Sequence, residues 1–141
     1  MLTEEISILE QINFATLSVA LRSDGIVQVK VKANDEIDVK HVVQVVDSLE
    51  KMGNGKKFPL LIVVGEYTLP TPEARAYIAT PESDPFALAE AYVIQSFTQK
   101  LVGNVYLNLH KPARPTRMFN SEVKAIEWLK TFSPSKRASS K

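Results

Sequence analysis

Thr71 is the hydroxyl best placed for chemistry in this chain. It stands in Leu69-Pro70-Thr71-Pro72, just after the apolar run Leu60 to Val64. Its side-chain oxygen suits a helix N-cap, and Pro72 falls where a helix tolerates proline best. The same hydroxyl at a helix N-terminus would also welcome a phosphate, because the helix dipole favours negative charge there. The rim around it holds Glu66, Tyr67, Thr68, Glu73 and Arg75. These residues form a candidate partner-binding surface, with Glu73 also placed to complement the dipole. A second candidate is the basic cluster Lys111, Arg114 and Arg117, which could meet an anion or an acidic partner. A solvated loop beside a helix-end cation is the plainer account of those three residues.

Catalytic and metal-binding groups are sparse. The chain has no cysteine, which excludes thiol nucleophiles, disulfides and thiolate metal sites. Its two histidines, His41 and His110, fall on different predicted helices and lack motif partners. His41 is expected on a polar helix face and His110 at a helix end. Gly53-Asn54-Gly55-Lys56-Lys57 looks like a phosphate loop, but it follows a helix and precedes a strand, the reverse of the required order. Glu66, Glu73 and Glu82 are too scattered to form an acid/base pair. No catalytic residue, metal ligand or cofactor is therefore expected, and the chain is read as a non-enzyme.

The elements that would position these residues follow from periodicity. Met1 to Asn13 reads as a leader, with Ile6, Leu9 and Ile12 spaced as in a short helix or an arm packing on a neighbour. Phe14 to Leu21 alternates, Asp24-Gly25 signals a hairpin turn, and Ile26 to Lys32 alternates back. Val39 to Met52 takes helical spacing, with Asp38 as its cap and Gly53 and Gly55 as its stop. Leu60 to Val64 is apolar on both faces, as in a buried parallel strand. A short helix follows Thr71 and stops at Thr80-Pro81. Asp84-Pro85 repeats the cap-then-proline pattern and predicts another helical start.

Ala91 to Gln95 reads as a buried strand. Phe97 to Leu109 reads as a helix, with Phe97, Leu101, Val105 and Leu109 spaced by four. Thr116 to Phe119 is the last strand. A helix from Glu122 to Phe132 follows, capped by Asn120 or Ser121. The order is β-β-α-β-α-β-α-β-α in a mixed, mostly parallel sheet with helices, an α/β class. One domain over 14–132 is expected, preceded by the leader 1–13 and followed by a flexible basic tail, 133–141, that holds Lys136, Arg137 and Lys141.

The totals suit one soluble globular domain: 141 residues, 45% hydrophobic and 23% charged. A net charge of +1 argues against a dedicated nucleic-acid binder. No segment approaches the length of a membrane span. The acidic start is unlike a signal peptide, so a cytoplasmic location is expected.

The element order, together with VVGEYTLPTPEARAYIA and PTRMFNSEVKAIEWLKTF, resembles the STAS family, the SpoIIAA-like fold of anti-sigma-factor antagonists, and within it a group of small uncharacterised bacterial members. The resemblance covers about Phe14 to Phe132. It implies a regulatory module that binds an unknown protein partner, with a homodimer as one possible state. Classical antagonists carry a phosphorylated serine in Asp-Ser-Ser-Gly after the central strand. Here Leu69-Pro70-Thr71-Pro72 stands in that place, with Thr71 as the nearby hydroxyl, a proline for the aspartate and no glycine after it. The fold also resembles lipid-binding domains of the CRAL-TRIO type, which makes a small-molecule or lipid carrier the alternative. Such a carrier needs an apolar cavity of about 300 Å³ or more.

Overall fold

A computed structural model describes residues 5–132. The tail expected over 133–141 lies outside the described residues. Six strands form one sheet in the order β1-β2-β3-β5-β7-β8. These are β1 (Ile8–Asn13), β2 (Leu17–Arg22), β3 (Val27–Val31), β5 (Phe58–Val64), β7 (Ala87–Val93) and β8 (Thr116–Phe119). The first three pair antiparallel, and β3, β5, β7 and β8 pair parallel. A short parallel pair, β4 (Glu36–Ile37) with β6 (Leu69–Pro70), lies at the carboxyl end of this arrangement. The helices are α1 (Val39–Gly53), α2 (Pro72–Ile78), α3 (Phe97–Val105) and α4 (Glu122–Leu129).

β5 sits inside the sheet, as its unbroken apolar run requires. Leu60 and Leu61 point to opposite faces and both are fully buried. From β3 onward the sheet grows in one direction. Right-handed crossovers at each step therefore put α1, α2 and α3 on one face, and α4 covers the other. Two core layers result. Leu17, Val19, Val27, Val29, Leu49 and Leu60 fill the first, and Ile26, Leu61, Ala89, Ala91, Ala125 and Leu129 the second.

Several local readings change. Residues 8–13 of the expected leader form no helix. They are an edge strand, paired antiparallel with β2 and almost wholly exposed, so alternation leaves no mark on them. The αL position after α1 is taken by Asn54 (φ 52°), with Gly55 following at φ 95°. Asp84-Pro85 starts no helix. The Asp84 carboxylate accepts the Phe86 N–H (3.2 Å), closing a turn that leads into β7 at Ala87, earlier than the expected Ala91. After α3 the helix widens into a π turn over Tyr106–His110. Its apolar stripe, Phe97, Leu101, Val105 and Leu109, faces solvent, while Gln99, Gly103 and Tyr106 face the sheet.

Candidate functional site

The carboxyl end of β5 turns sharply at Gly65. A side chain there would strike the backbone of Lys32 and Ala33, since a Cβ would lie 2.4 Å from the Ala33 nitrogen. The Thr68 N–H returns to the Gly65 carbonyl (3.2 Å), leaving Glu66 and Tyr67 at the tip of the turn. Tyr67 takes φ 71°, a left-handed conformation uncommon for any residue but glycine or asparagine, and is 63% exposed. The turn is pinned from behind by Gln99. Its amide nitrogen donates to the carbonyls of Gly65 and Thr68, both at 2.9 Å, and its oxygen accepts the Gln95 and Ser96 N–H groups.

The expected rim therefore divides. Glu66, Tyr67 and Glu73 are exposed. Thr68, expected on the surface, is buried: its hydroxyl donates to the Lys32 carbonyl and accepts the Asp35 N–H. Thr71 is half-buried and caps α2, accepting the Ala74 N–H at 3.0 Å. Arg75 is half-buried; its Nη1 donates to the Pro70 carbonyl (3.1 Å), and its buried Nε has no partner.

The basic cluster does not gather. Lys111 and Arg117 are exposed, and the Arg117 guanidinium lies 5.4 Å from the Phe119 ring centroid. Arg114 is buried, contrary to the surface role expected of it. It donates to the Ile78 and Thr80 carbonyls (both 2.8 Å) and to the Ser83 hydroxyl (3.2 Å), and meets the Glu90 carboxylate at 3.5 Å. Glu90, together with Asp84, is the group sequence reasoning missed. Its signal was a single acid inside the otherwise apolar strand ALAEAYV.

Burial pushes the Glu90 carboxyl up to about 7. Arg114 opposes the shift, nearby Asp84 adds to it, and a hydrogen bond from the Tyr92 hydroxyl opposes it. Burial likewise raises Asp84 to about 6 against the pull of Arg114. Burial and the Glu90 charge raise both Tyr92 and Tyr106.

The two histidines lie on separate elements, His41 in the first turn of α1 and His110 at the end of the π turn. His41 is buried rather than on a polar face, and its Nδ1 accepts the Asp38 N–H (2.8 Å) at the start of α1. His110 stacks on Tyr106 with ring centroids 5.8 Å apart. Among the described residues no group of three or more histidines, aspartates or glutamates is placed to hold a metal.

Between the sheet and α1, α2 and α3 lies a cavity of about 140 Å³. Val29, Leu60 and Ile62 line its floor, Val45 and Val102 its walls, and Arg75, Glu90 and Tyr106 are the notable polar residues around it.

No curated protein matches the chain. A solved structure does, at 15% identity with a TM-score of 0.54, covering 92% of this chain and 98% of its own. It is an uncharacterised protein of the DUF3478 family with a SpoIIAA-like fold, from Shewanella loihica PV-4. The fold expected from the element order is thus the fold found, a SpoIIAA-like α/β sheet. A family described as a domain of unknown function, DUF7793, matches residues 20–133, and the chain belongs to that family.

Proposed function

We propose that this protein is a non-enzymatic regulatory module that engages a protein partner through the exposed part of the rim, Glu66, Tyr67 and Glu73. The observation that carries this reading is Tyr67. A large aromatic is held 63% exposed in a left-handed backbone conformation, on a turn that Gln99 ties down with two hydrogen bonds. Strained, exposed aromatics on rigid turns cost stability and suit binding surfaces. Thr71 serves this surface as a cap that fixes the start of α2. The lipid-carrier alternative meets a cavity of 140 Å³, less than half of what a carrier requires.

The test uses extract from the native cell and the variants Tyr67→Gly, Thr71→Ala and Thr71→Glu as bait. Tyr67→Gly relieves the backbone strain, so it should be at least as stable as the wild type while losing the partner. Thr71→Ala should lose about 1 kcal/mol of stability and keep the partner once folding is allowed for. A phosphoswitch would instead show altered binding in the glutamate form alone. Unchanged partner capture by Tyr67→Gly would refute the rim as the contact.

A further inference from the structure

Arg75 and the cavity are two observations that meet at one place. The cavity of about 140 Å³ has an apolar lining of Val29, Val45, Leu60, Ile62 and Val102. An engineered apolar cavity of about 150 Å³ accepts benzene, so the space fits one ring or a branched chain of that size. Arg75 lines the same cavity. Its Nη1 donates to the Pro70 carbonyl. Its Nε is buried without a partner, and among the described residues no carboxylate pairs with Arg75. The edge formed by Nε and Nη2 is the one that grips a carboxylate with two parallel hydrogen bonds. Glu90, which also lines the cavity, already faces the Arg114 guanidinium, which is itself engaged with Ser83 and two carbonyls.

We propose that this cavity is a binding site for a small monocarboxylate with a compact, benzene-sized apolar body, its carboxylate held by the Nε–Nη2 edge of Arg75. The apolar body replaces empty space against the sheet. The carboxylate supplies the partner that a buried guanidinium nitrogen lacks. Asp84 and Glu90 also border the cavity, so the acid group goes to the Arg75 end and the apolar body lies toward them. A lipid chain is too large for the space, and a bare small anion would leave the apolar lining unfilled. This inference stands apart from the rim reading, because its test involves no protein partner.

The probe is benzoate, titrated to about 5 mM into the full chain and followed by backbone amide NMR shifts. Saturable shifts are expected at Ile62, Arg75 and Val102. Benzyl alcohol, which keeps the ring and loses the charge, should bind roughly tenfold more weakly or worse, and acetate should not bind in this range. Arg75→Gln should bring benzoate down to the level of benzyl alcohol. Val102→Phe and Val45→Met, which narrow the cavity by different side chains, should weaken both ring compounds. The proposal is overturned if benzoate gives no saturable shift at the cavity, if benzyl alcohol binds as well as benzoate, or if Arg75→Gln leaves the preference intact. It is equally overturned if both narrowed variants fold and bind benzoate as the wild type does.

Discussion

Replacing Arg114 by alanine removes the centre of a buried ionic cluster, and the cost can be worked from its partners. The guanidinium satisfies the Ile78 and Thr80 carbonyls and the Ser83 hydroxyl, and faces the Glu90 carboxylate at 3.5 Å. Removing it leaves these buried acceptors without their donor and, above about pH 7, the Glu90 carboxylate without its counter-charge, together about 3–5 kcal/mol. For a domain of this size that is a fall of roughly 10–15 °C in Tm. The pH dependence identifies the cause. Glu90 titrates near 4.5 when exposed and near 7 in the fold. The folded state therefore holds its proton when the unfolded state has lost it, so this stability is complete below about pH 4.5 and is lost as pH rises toward 7. The shift corresponds to roughly 3 kcal/mol, most of it falling between pH 5 and pH 8. Asp84 moves in the same direction.

Thermal and urea denaturation at pH 5 and pH 8 of wild type, Arg114→Ala and Glu90→Gln measures all of this. Wild type should be less stable at pH 8. Arg114→Ala should be less stable throughout and fall more steeply with pH. Glu90→Gln keeps the shape, can still accept from Tyr92, and should flatten the dependence. An arginine variant within about 1 kcal/mol of wild type, or a glutamine variant with the wild-type pH slope, would refute the account.

Two further substitutions test the frame of the rim. Gly65→Ala should destabilise by more than about 2 kcal/mol in urea unfolding, because its Cβ meets the backbone of Lys32 and Ala33, which cannot yield as a side chain would. Gln99→Leu leaves the Gly65 and Thr68 carbonyls without their donor; roughly 2–4 kcal/mol should be lost, and amide exchange should speed up between Gly65 and Thr68.

What the sequence made legible was local. The run Leu60 to Val64 announces an interior strand, because only burial on both faces suits five successive apolar side chains. Thr71-Pro72 announces a helix start, because cap and proline act within a single turn. Thr116 to Phe119 is β8 to the residue. What stayed hidden depends on partners far along the chain. Arg114 looked like a surface base beside Lys111 and Arg117, since its acceptors lie 24 to 36 residues away. Thr68 looked like a loop hydroxyl until Lys32 and Asp35 closed on it. The stripe Phe97, Leu101, Val105 and Leu109 marks a face of α3 and its π turn that is not the buried one. Inward, the helix needs the amide of Gln99 for two carbonyls and the small Gly103, whose Cβ would come within 3.3 Å of Met118.

The reach of Arg114 also sets an order of events during synthesis. The carbonyls of Ile78 and Thr80 and the carboxylate of Glu90 emerge from the ribosome well before the guanidinium that satisfies them. β8, which follows directly, is the outermost parallel strand and docks on β7. A nascent chain ending before Pro115 therefore carries an uncovered β7 edge, and one ending before Arg114 a half-solvated ionic cluster as well. Contacts of such sequence separation close late and slowly. Commitment to the native state thus waits for the final quarter of the chain, and a truncated chain lacking it should accumulate as a protease-sensitive species rather than as a smaller stable domain.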